Sequence, residues 1–389
     1  MFGKIRSMKM RSVLLLITPS SPGRFAGIAR FARSASWHLT VADRMTHALD
    51  GWTGDGALVT LRDDPAMEAC VNALAESGVP VVNLSFARPD AKFPRVAGDN
   101  AAIGSLAAEH FRSRYFRNIA WFSSRWGYQQ ELRFGAFARG CKSPPAKWVW
   151  VSDRDRTKAD DWGSISKWLA KNVKSSPKPL GVFCFDDSDA SRVESAALSS
   201  GLSIPSDVAI LGAGDDAPLC ESQIVPISSV RHNLSRIGYA GAALLERLMD
   251  GGDPPENPIV VRPAGIAERL STDTLAISAP LVMKARAVYM KRLDNPPSTE
   301  MLAERLGVSR PTLDRAFNAD IGLPPAKFLA RLRLEEAKRL LRDTDMTASQ
   351  ISSALGYCNG AYFSNAFRRA MGASPKEWRR CAAAENATA

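Results

Sequence analysis

The chain has 389 residues, of which 45% are apolar and 23% charged, and its formal net charge is +11. That length suits two or three domains with a large buried core. The charge is uneven, because residues 284–380 hold 18 Lys and Arg against 10 Asp and Glu, whereas the rest holds 33 against 30. A basic C-terminal quarter is typical of a module that binds a polyanion, although a solvated basic face would give the same excess.

The six cysteines are scattered without a CxxC pair, and the four histidines show no metal-ligand spacing. This argues against a disulfide framework and a zinc knuckle and fits a reducing cytosol, and we expect neither a metal nor a cofactor. The N-terminus resembles a signal peptide, but the apolar run 13–17 is too short for one and is better interpreted as a buried strand. No apolar run reaches membrane-spanning length, so we expect no membrane partner and a cytoplasmic, nucleoid-associated protein.

Up to about residue 270, short β-branched apolar runs alternate with helix-length amphipathic segments. Because strands buried on both faces read as continuous apolar runs, this alternation predicts an α/β domain with open parallel sheets. The region is too long for one such sheet, so we expect two similar lobes. The predicted strands are 13–17, 57–61, 79–84, 118–122, 147–151, 181–185 and 208–212, and the predicted helices include 65–77, 100–113 and 189–200.

Polar side chains follow several of these strands, at the edge where open α/β sheets bind ligands. Carboxylates and arginines can each make two hydrogen bonds to adjacent hydroxyls, and a tryptophan can stack on an apolar sugar face. The predicted ligand is therefore a sugar or polyol, although Asp and Asn at such positions often only cap the next helix. The candidates are Ser21, Arg24, Asp99, Arg125, Trp126, Asp187, Asp215 and Asp216.

Seven segments in order resemble the effector domain of LacI/GalR-type repressors, which is similar to periplasmic sugar-binding proteins. They are VAGDNAAIGSLAAEHF (96–111), ELRFGAF (131–137), FCFDDSDASR (183–192), ILGAGDD (210–216), SSV (228–230), GYAGAALLERLMDGG (238–252) and RLSTD (269–273). The resemblance implies a two-lobed effector-binding domain over residues 11–273. It also implies that the effector binds between the lobes.

The same resemblance adds Arg133 to the candidate ligand residues and places Asp187 at the mouth of the site. The family commonly has an aspartate where this chain has Gly214, so contact is expected to depend on Asp215 or Asp216 instead. LacI-type repressors also carry an N-terminal helix-turn-helix, for which we expect no room before the first strand.

After a predicted linker over 274–283, the pattern becomes helical and repeats. Two helix–glycine turn–helix units match at an offset of 49 to 50 residues, with the turns at Gly307 and Gly356. A long predicted helix over 324–344 joins them and could hold their second helices about 34 Å apart, one turn of duplex DNA. The predicted N-caps are Ser298, Ser309, Thr347 (in a capping box with Gln350) and Asn359.

The outward faces of the second helices carry side chains that can read base edges. Arginine pairs with guanine, asparagine with adenine and aspartate with the cytosine amino group. Arg368 and Arg369 lie further along their helix, where phosphate contact is expected. The alternative is a packed helical bundle with solvated arginines. The predicted DNA-binding residues are Arg310, Thr312, Asp314, Arg315, Asn359, Gly360, Ala361, Ser364, Asn365, Arg368 and Arg369.

Residues 331–379, from RLRLEEAKRLLRD to the closing GASPKEWR, resemble the AraC/XylS-type DNA-binding domain. The resemblance implies such a domain over 284–381, with double-stranded promoter DNA as partner. It further implies that Asn359, Gly360, Ala361 and Asn365 face the bases in the second unit. Gly360 and Ala361 are smaller than the side chains often present there, so the first unit is expected to carry more of the sequence specificity.

Together the two resemblances predict a homodimeric transcription factor that is switched by a pentose-like sugar. By family analogy it activates sugar catabolic genes through RNA polymerase. A regulator with a class I glutaminase-like domain is a competing hypothesis, but Cys184 lies inside a predicted strand rather than on a sharp turn, so we predict no enzymatic activity. A solute carrier is disfavoured, because we expect no signal peptide and the C-terminal module has no place in one, whereas a regulator whose effector is not a sugar stays an alternative.

Overall fold

The computed structural model describes residues 10–17, 22–42, 52–62, 72–150, 162–277 and 279–380. The chain divides into two compact units, Met1–Leu275 and Ala276–Ala389, which we call the body and the C-terminal unit. The division falls inside the predicted linker 274–283. That linker is shorter than predicted, because a helix begins at Pro280, where proline suits the first turn and Val282 is buried.

Strands and helices alternate along the described body. The strands are β1 (Arg11–Leu16), β2 (Trp37–Val41), β3 (Gly56–Val59), β4 (Val81–Asn83), β5 (Val96–Gly98), β6 (Asn118–Ser123), β7 (Ala146–Val149), β8 (Leu180–Cys184), β9 (Val208–Gly214), β10 (Ser228–Arg231), β11 (Ile259–Val261) and β12 (Ile266–Ala267). The helices are α1 (Pro22–Ala35), α2 (Asn100–Ser113), α3 (Tyr128–Gly140), α4 (Trp162–Ser175), α5 (Asp187–Ser199), α6 (Ala217–Glu221) and α7 (Leu234–Met249). Residues 72–76, part of the predicted helix 65–77, are helical, and a 3₁₀ turn spans Leu270–Thr272.

The strands form two main parallel sheets, one in each lobe, as predicted. One has the order β2-β1-β3-β4 and the other β12-β10-β9-β8-β6-β7, in which only the β10–β12 pairing is antiparallel. A separate pair, β11 and β5, is also parallel. The strands that the sequence did not predict are short, polar or exposed, so they lack a continuous apolar run. In β10 (SSVR), for example, the side chains of both buried serines make hydrogen bonds.

Helices α1 and α7 cross with their backbones in contact, because glycines face each other there. A Cβ atom on Gly27 would lie 2.0 Å from the Ser235 carbonyl oxygen, and one on Gly238 would lie 2.1 Å from the Arg24 carbonyl oxygen. The buried side chains of Ile28 and Ile237 pack into the same apolar core. This crossing fixes the start of α1 against the segment that follows β10.

The described part of the C-terminal unit is helical. Its helices are α8 (Pro280–Lys291), α9 (Thr299–Arg305), α10 (Arg310–Asp320), α11 (Pro325–Asp343), α12 (Ala348–Ala354) and α13 (Gly360–Met371), and residues 375–380 are helical too. The four predicted N-caps are confirmed, because the side chains of Ser298, Ser309, Thr347 and Asn359 each accept a hydrogen bond from a backbone N–H in the first turn of the following helix. Gly307 and Gly356 have positive φ at the two turns. No helix among the described residues combines the length and apolarity needed to cross a bilayer.

Candidate functional site

Asp187 lies where strands β8, β9 and β10 end, and it is 3% exposed. Its Oδ1 accepts a hydrogen bond from Ser229 Oγ at 2.5 Å, and its Oδ2 accepts one from the Asp216 N–H at 2.8 Å. A Cβ on Gly212 would lie 2.3 Å from Oδ1, so only glycine leaves room for the carboxylate there. Asp187 thus holds neighbouring strand ends together, and direct ligand contact stays a prediction.

Burial raises the pKa of Asp187 from 3.8 to about 6, against the hydrogen bonds from Ser229 and Asp216, which lower it. The folded state therefore binds this proton more readily than the unfolded chain. The contribution of Asp187 to stability is present below about pH 4 and is lost as the pH rises through 6.

Ser229→Ala is expected to lower the free energy of unfolding by about 1–3 kcal/mol at pH 8 and by clearly less at pH 5. The Ser229 hydroxyl stabilises the ionised carboxylate, which predominates only above the pKa of Asp187. Urea unfolding at the two pH values measures the difference. Ser222→Ala, which removes an exposed hydroxyl that donates to Leu219, is the control and should show no pH dependence. An equal loss at both pH values would contradict this account.

Two of the predicted ligand residues are helix caps. Asp99 accepts a hydrogen bond from the Ala102 N–H at 2.9 Å at the start of α2. Asp216 accepts one from the Leu219 N–H at 3.3 Å at the start of α6. Both aspartates therefore cap the helix that follows a strand, which was the alternative to ligand binding. Ligand contact through their second carboxylate oxygens stays a prediction.

Asp215 forms ion pairs inside the body. Its carboxylate lies 3.2 Å from Arg231 Nε and 2.9 Å from Arg269 Nη1, and its N–H donates to Ser229 Oγ at 3.0 Å. Asp215 also adopts a left-handed backbone, with φ 57°, directly after Gly214 at φ 136°. A strained turn held by two arginines fixes this carboxylate in place.

Arg125 and Trp126 lie towards the surface. Arg125 is exposed, pairs with Asp186 at 2.5 Å and stacks on the Phe185 ring. Lys147 Nζ lies 3.6 Å from the centre of the Trp126 ring, so one face of that ring is covered. Stacking of a sugar on Trp126 would need the opposite face and stays a prediction.

Arg24 and Arg133 both act electrostatically on His232, although the three residues are far apart in sequence. Arg24 begins α1 in the first lobe, Arg133 belongs to α3 in the second, and His232 follows β10. Burial lowers the pKa of Arg24 to about 10 and that of Arg133 to about 9. Burial, then the positive charges of Arg133 and Arg24, lower the pKa of His232 well below 6.5. Ser21 lies outside the described residues.

His232 and Ser229 were not among the predicted site residues. Both belong to or follow β10, whose serine-rich sequence carries no apolar run, so the strand itself was not predicted. The rule that polar residues at strand ends converge would have identified His232 if the strand had been recognised.

Cys184, considered for the glutaminase-like hypothesis, is fully buried in β8, and burial raises the pKa of its thiol well above the ordinary value. A thiol that stays protonated is a poor nucleophile. Among the described residues, no group of three or more His, Cys, Asp or Glu is placed to hold a metal ion.

In the first unit of the repeat, helix α10 presents Arg310, Thr312, Asp314 and Arg315 at exposed or half-buried positions. Arg310 pairs with Glu300 and lies 3.7 Å from Asp314. Arg315 makes only long hydrogen bonds, at 3.3 Å to the Pro311 carbonyl and at 3.4 Å to Thr312 Oγ1. In the described structure Arg310 therefore lies beside carboxylates, whereas Arg315 forms no ion pair.

In the second unit, the side-chain oxygen of Asn359 accepts from the Tyr362 N–H at 2.8 Å, so its carbonyl is occupied by the cap. Gly360 and Ser364 are half-buried at the same face. Phe363 and Phe367 point into the core. Exposed on this helix are Ala361, Asn365, Arg368 and Arg369. The exposed face of this helix thus carries small or amide side chains in its first turns and two arginines further along.

Two family models match the chain. A helix-turn-helix domain matches residues 302–381, and a periplasmic binding protein-like domain matches residues 108–272. The xylose operon regulatory protein of Escherichia coli (strain K12) is 24% identical over 373 residues, which cover 90% of each chain. The protein of the same name from Haemophilus influenzae is 23% identical, over 91% of this chain and 93% of its own.

A solved structure described as the xylose-binding transcription activator xylR matches with a TM-score of 0.61 at 23% identity. It covers 96% of this chain and 98% of its own. This likeness confirms the predicted fold, a two-lobed periplasmic-binding-like domain followed by a helical domain with two helix-turn-helix units. The relatives matched over most of the chain carry the name of a regulatory protein and not of an enzyme.

Proposed function

We propose that this chain, which is an AraC-type transcriptional regulator with a periplasmic-binding-protein-like body, is switched by a small polyol bound between its lobes. The proposal is supported by the polar groups at the strand ends, where Asp187 is hydrogen-bonded to Ser229 and to the Asp216 N–H, and by the effect of the Arg24 and Arg133 charges on the pKa of His232. The names of the relatives favour a pentose-like sugar and activation of its catabolic genes. A homodimer, contact with RNA polymerase and a location on cytoplasmic DNA belong to the same proposal.

A hydrogen-bonded chain links the strand ends to the last residues of the body. Arg269, paired with Asp215, donates its backbone N–H to Ser228 Oγ at 2.8 Å. Thr272 Oγ1 donates to the same oxygen at 2.7 Å, and Thr272 lies three residues before the body ends at Leu275. An effector that changes the strand ends would change this segment, provided that it binds the two arrangements of the body with different free energies.

On DNA, we expect Arg315 to read a base and Arg368 to contact a phosphate. Arg315→Ala should weaken binding to the cognate promoter by about 10- to 100-fold and relax preference at one base pair. Arg368→Ala should weaken binding to all DNA sequences by a similar factor. It should also reduce the steepness of the slope of log K against log salt concentration by about one. Gel-shift titration over a range of salt concentrations, with cognate and scrambled duplexes, measures both.

Lys291→Ala, which removes an exposed charge of α8 outside both repeat units, is the matched control and should leave promoter discrimination unchanged. Titrations with and without candidate sugars test the switch in the same assay. Equal loss of discrimination from Arg315→Ala and Arg368→Ala would contradict the division of roles. Promoter binding that no polyol alters would contradict the proposed switch.

A further inference from the structure

The glycine turn of the second helix-turn-helix unit touches the segment that leads into the first. A Cβ atom on Gly356 would lie 2.1 Å from the Asp294 carbonyl oxygen, between α8 and α9. Gly307 has the same place in the first unit and nearly the same φ, 68° against 66°. A Cβ there would meet no neighbouring atom within 4 Å among the described residues. The second turn therefore needs glycine for a close approach as well as for its backbone conformation.

Arg333, on the connecting helix α11, holds this contact together. Its Nη2 donates to the Gly356 carbonyl oxygen at 3.0 Å and to the Leu293 carbonyl oxygen at 3.2 Å, and its Nε donates to Leu293 at 3.4 Å. Leu293 is 40 residues from Arg333 in the sequence, and Gly356 is 23 residues away. One guanidinium thus joins three segments, namely the entry to the first unit, the connecting helix and the turn of the second unit.

The contacts of Arg333 continue to helix α13. Its Cζ lies 5.3 Å from the centre of the Tyr357 ring, where a cation is attracted to the aromatic face. The Tyr357 ring packs 5.3 Å from that of Phe363, which belongs to α13 and is 1% exposed. Helix α11 by itself would let the two units tilt at its ends. The contacts from Leu293 through Arg333 to Phe363 oppose that tilt and orient α13 relative to the first unit.

We propose that this junction, formed by Leu293, Asp294, Arg333, Gly356 and Tyr357, fixes the spacing of the two DNA segments that the chain recognises, with Arg333 as its positioning residue. Two binding elements on one rigid support bind together only where the DNA presents both sites at the matching distance and angle. Each added base pair moves one site by about 3.4 Å and rotates it by about 35° around the duplex. The proposal concerns DNA recognition and does not depend on the effector.

The test uses the full chain and the cognate promoter. Hydroxyl-radical footprinting of the parent protein locates the two protected stretches, and duplexes are then made with one, two or five base pairs inserted between them. Gel-shift titration gives the dissociation constant for each duplex. We expect one inserted base pair to weaken binding of the parent at least about 10-fold, because only one unit can then bind in register. A single protected stretch, or a parent protein that tolerates the insertion, would overturn the proposal.

Arg333→Met keeps the length of the side chain but removes its donors, so the two units should lose their fixed angle. The penalty for one inserted base pair should fall below about 3-fold, while binding to the unaltered promoter weakens. Arg333→Lys keeps the charge without the planar fork and should give an intermediate penalty. Arg339→Gln is the control on the same helix, because Arg339 is exposed and pairs with Glu336. Its insertion penalty should equal that of the parent.

Gly356→Ala and Gly307→Ala make a second comparison, within the repeat. Both alanines are strained at positive φ, but only a Cβ at position 356 meets Asp294. Gly356→Ala should therefore tolerate the inserted base pair, whereas Gly307→Ala should keep the penalty of the parent. Circular dichroism melts establish which variants are folded, and the Arg333 variants decide if Gly356→Ala is not. An insertion penalty that stays unchanged in folded Arg333→Met and Arg333→Lys would overturn the role of the junction.

Discussion

Gly27→Ala is expected to lower the free energy of unfolding of the body by about 3 kcal/mol. The added Cβ would lie 2.0 Å from the Ser235 carbonyl oxygen and 2.9 Å from the Tyr239 nitrogen, both backbone atoms of the facing segment. Since backbone cannot rotate away as a side chain can, α1 and α7 must separate and the apolar core between them must loosen. Urea unfolding followed by tryptophan fluorescence reports the loss, because eight of the nine tryptophans belong to the body.

Gly23→Ala is the matched control, one helical turn earlier on α1. Its Cβ would meet Leu234 Cβ at 3.3 Å and the Ser235 nitrogen at 3.9 Å, so the facing segment has to move far less than for Gly27→Ala. We expect a change below about 1 kcal/mol, with the better helix propensity of alanine partly offsetting the crowding. Because Arg24 lies on α1, Gly27→Ala should also weaken effector binding, whereas Gly23→Ala should not. If the two variants had similar free energies of unfolding, the backbones of α1 and α7 would not be in close contact at Gly27.

Phe363→Ala is expected to abolish promoter binding while leaving the body folded. The ring is 1% exposed and packs against Tyr357 and Phe367, with ring centres 5.3 and 5.7 Å away. Loss of a buried phenylalanine costs about 3–5 kcal/mol, a large part of the stability of a small helical domain. Gel shift measures the loss of binding, and the tryptophan transition of the body should be unchanged.

Tyr362→Ala removes the neighbouring aromatic ring, which is 59% exposed. We expect its effect on the stability of the C-terminal unit to stay within about 0.5 kcal/mol. Comparing Phe363→Ala with Tyr362→Ala therefore distinguishes the loss of a buried ring from the loss of an exposed ring on the same helix, α13. Retained promoter binding by Phe363→Ala would mean that the second unit is not needed for recognition.

Much of the fold could be predicted from sequence because its signals are local. The apolar runs of β1, β8 and β9 and the predicted helix over 100–113 lie where the pattern indicated. Strand β10 could not be predicted, because its buried serines make hydrogen bonds to residues 40 or more positions away. A strand that is stabilised by distant polar partners shows no apolar run or alternation of apolar and polar residues in its own sequence.

The candidate site was predicted less completely than the fold. The positions of Arg24, Arg133 and Asp187 near strand ends followed from topology and resemblance. Which aspartates cap helices and which form ion pairs did not, because an aspartate after a strand has the same sequence context in both cases. Asp99 and Asp215 illustrate this, since one caps α2 and the other is held by two arginines.

The sequence by itself determined the alternation of strands and helices, the repeated helix-turn-helix units and their caps. Each of these depends on interactions within a few residues, such as the hydrogen bond that the Tyr362 N–H donates to Asn359 Oδ1. Only the tertiary structure decided which carboxylates are held by distant partners, as Asp187 is by Ser229 and Asp215 is by Arg231 and Arg269. The physical reason is that burial and charge balance depend on which distant side chains meet, and that is fixed by sheet order and helix crossing.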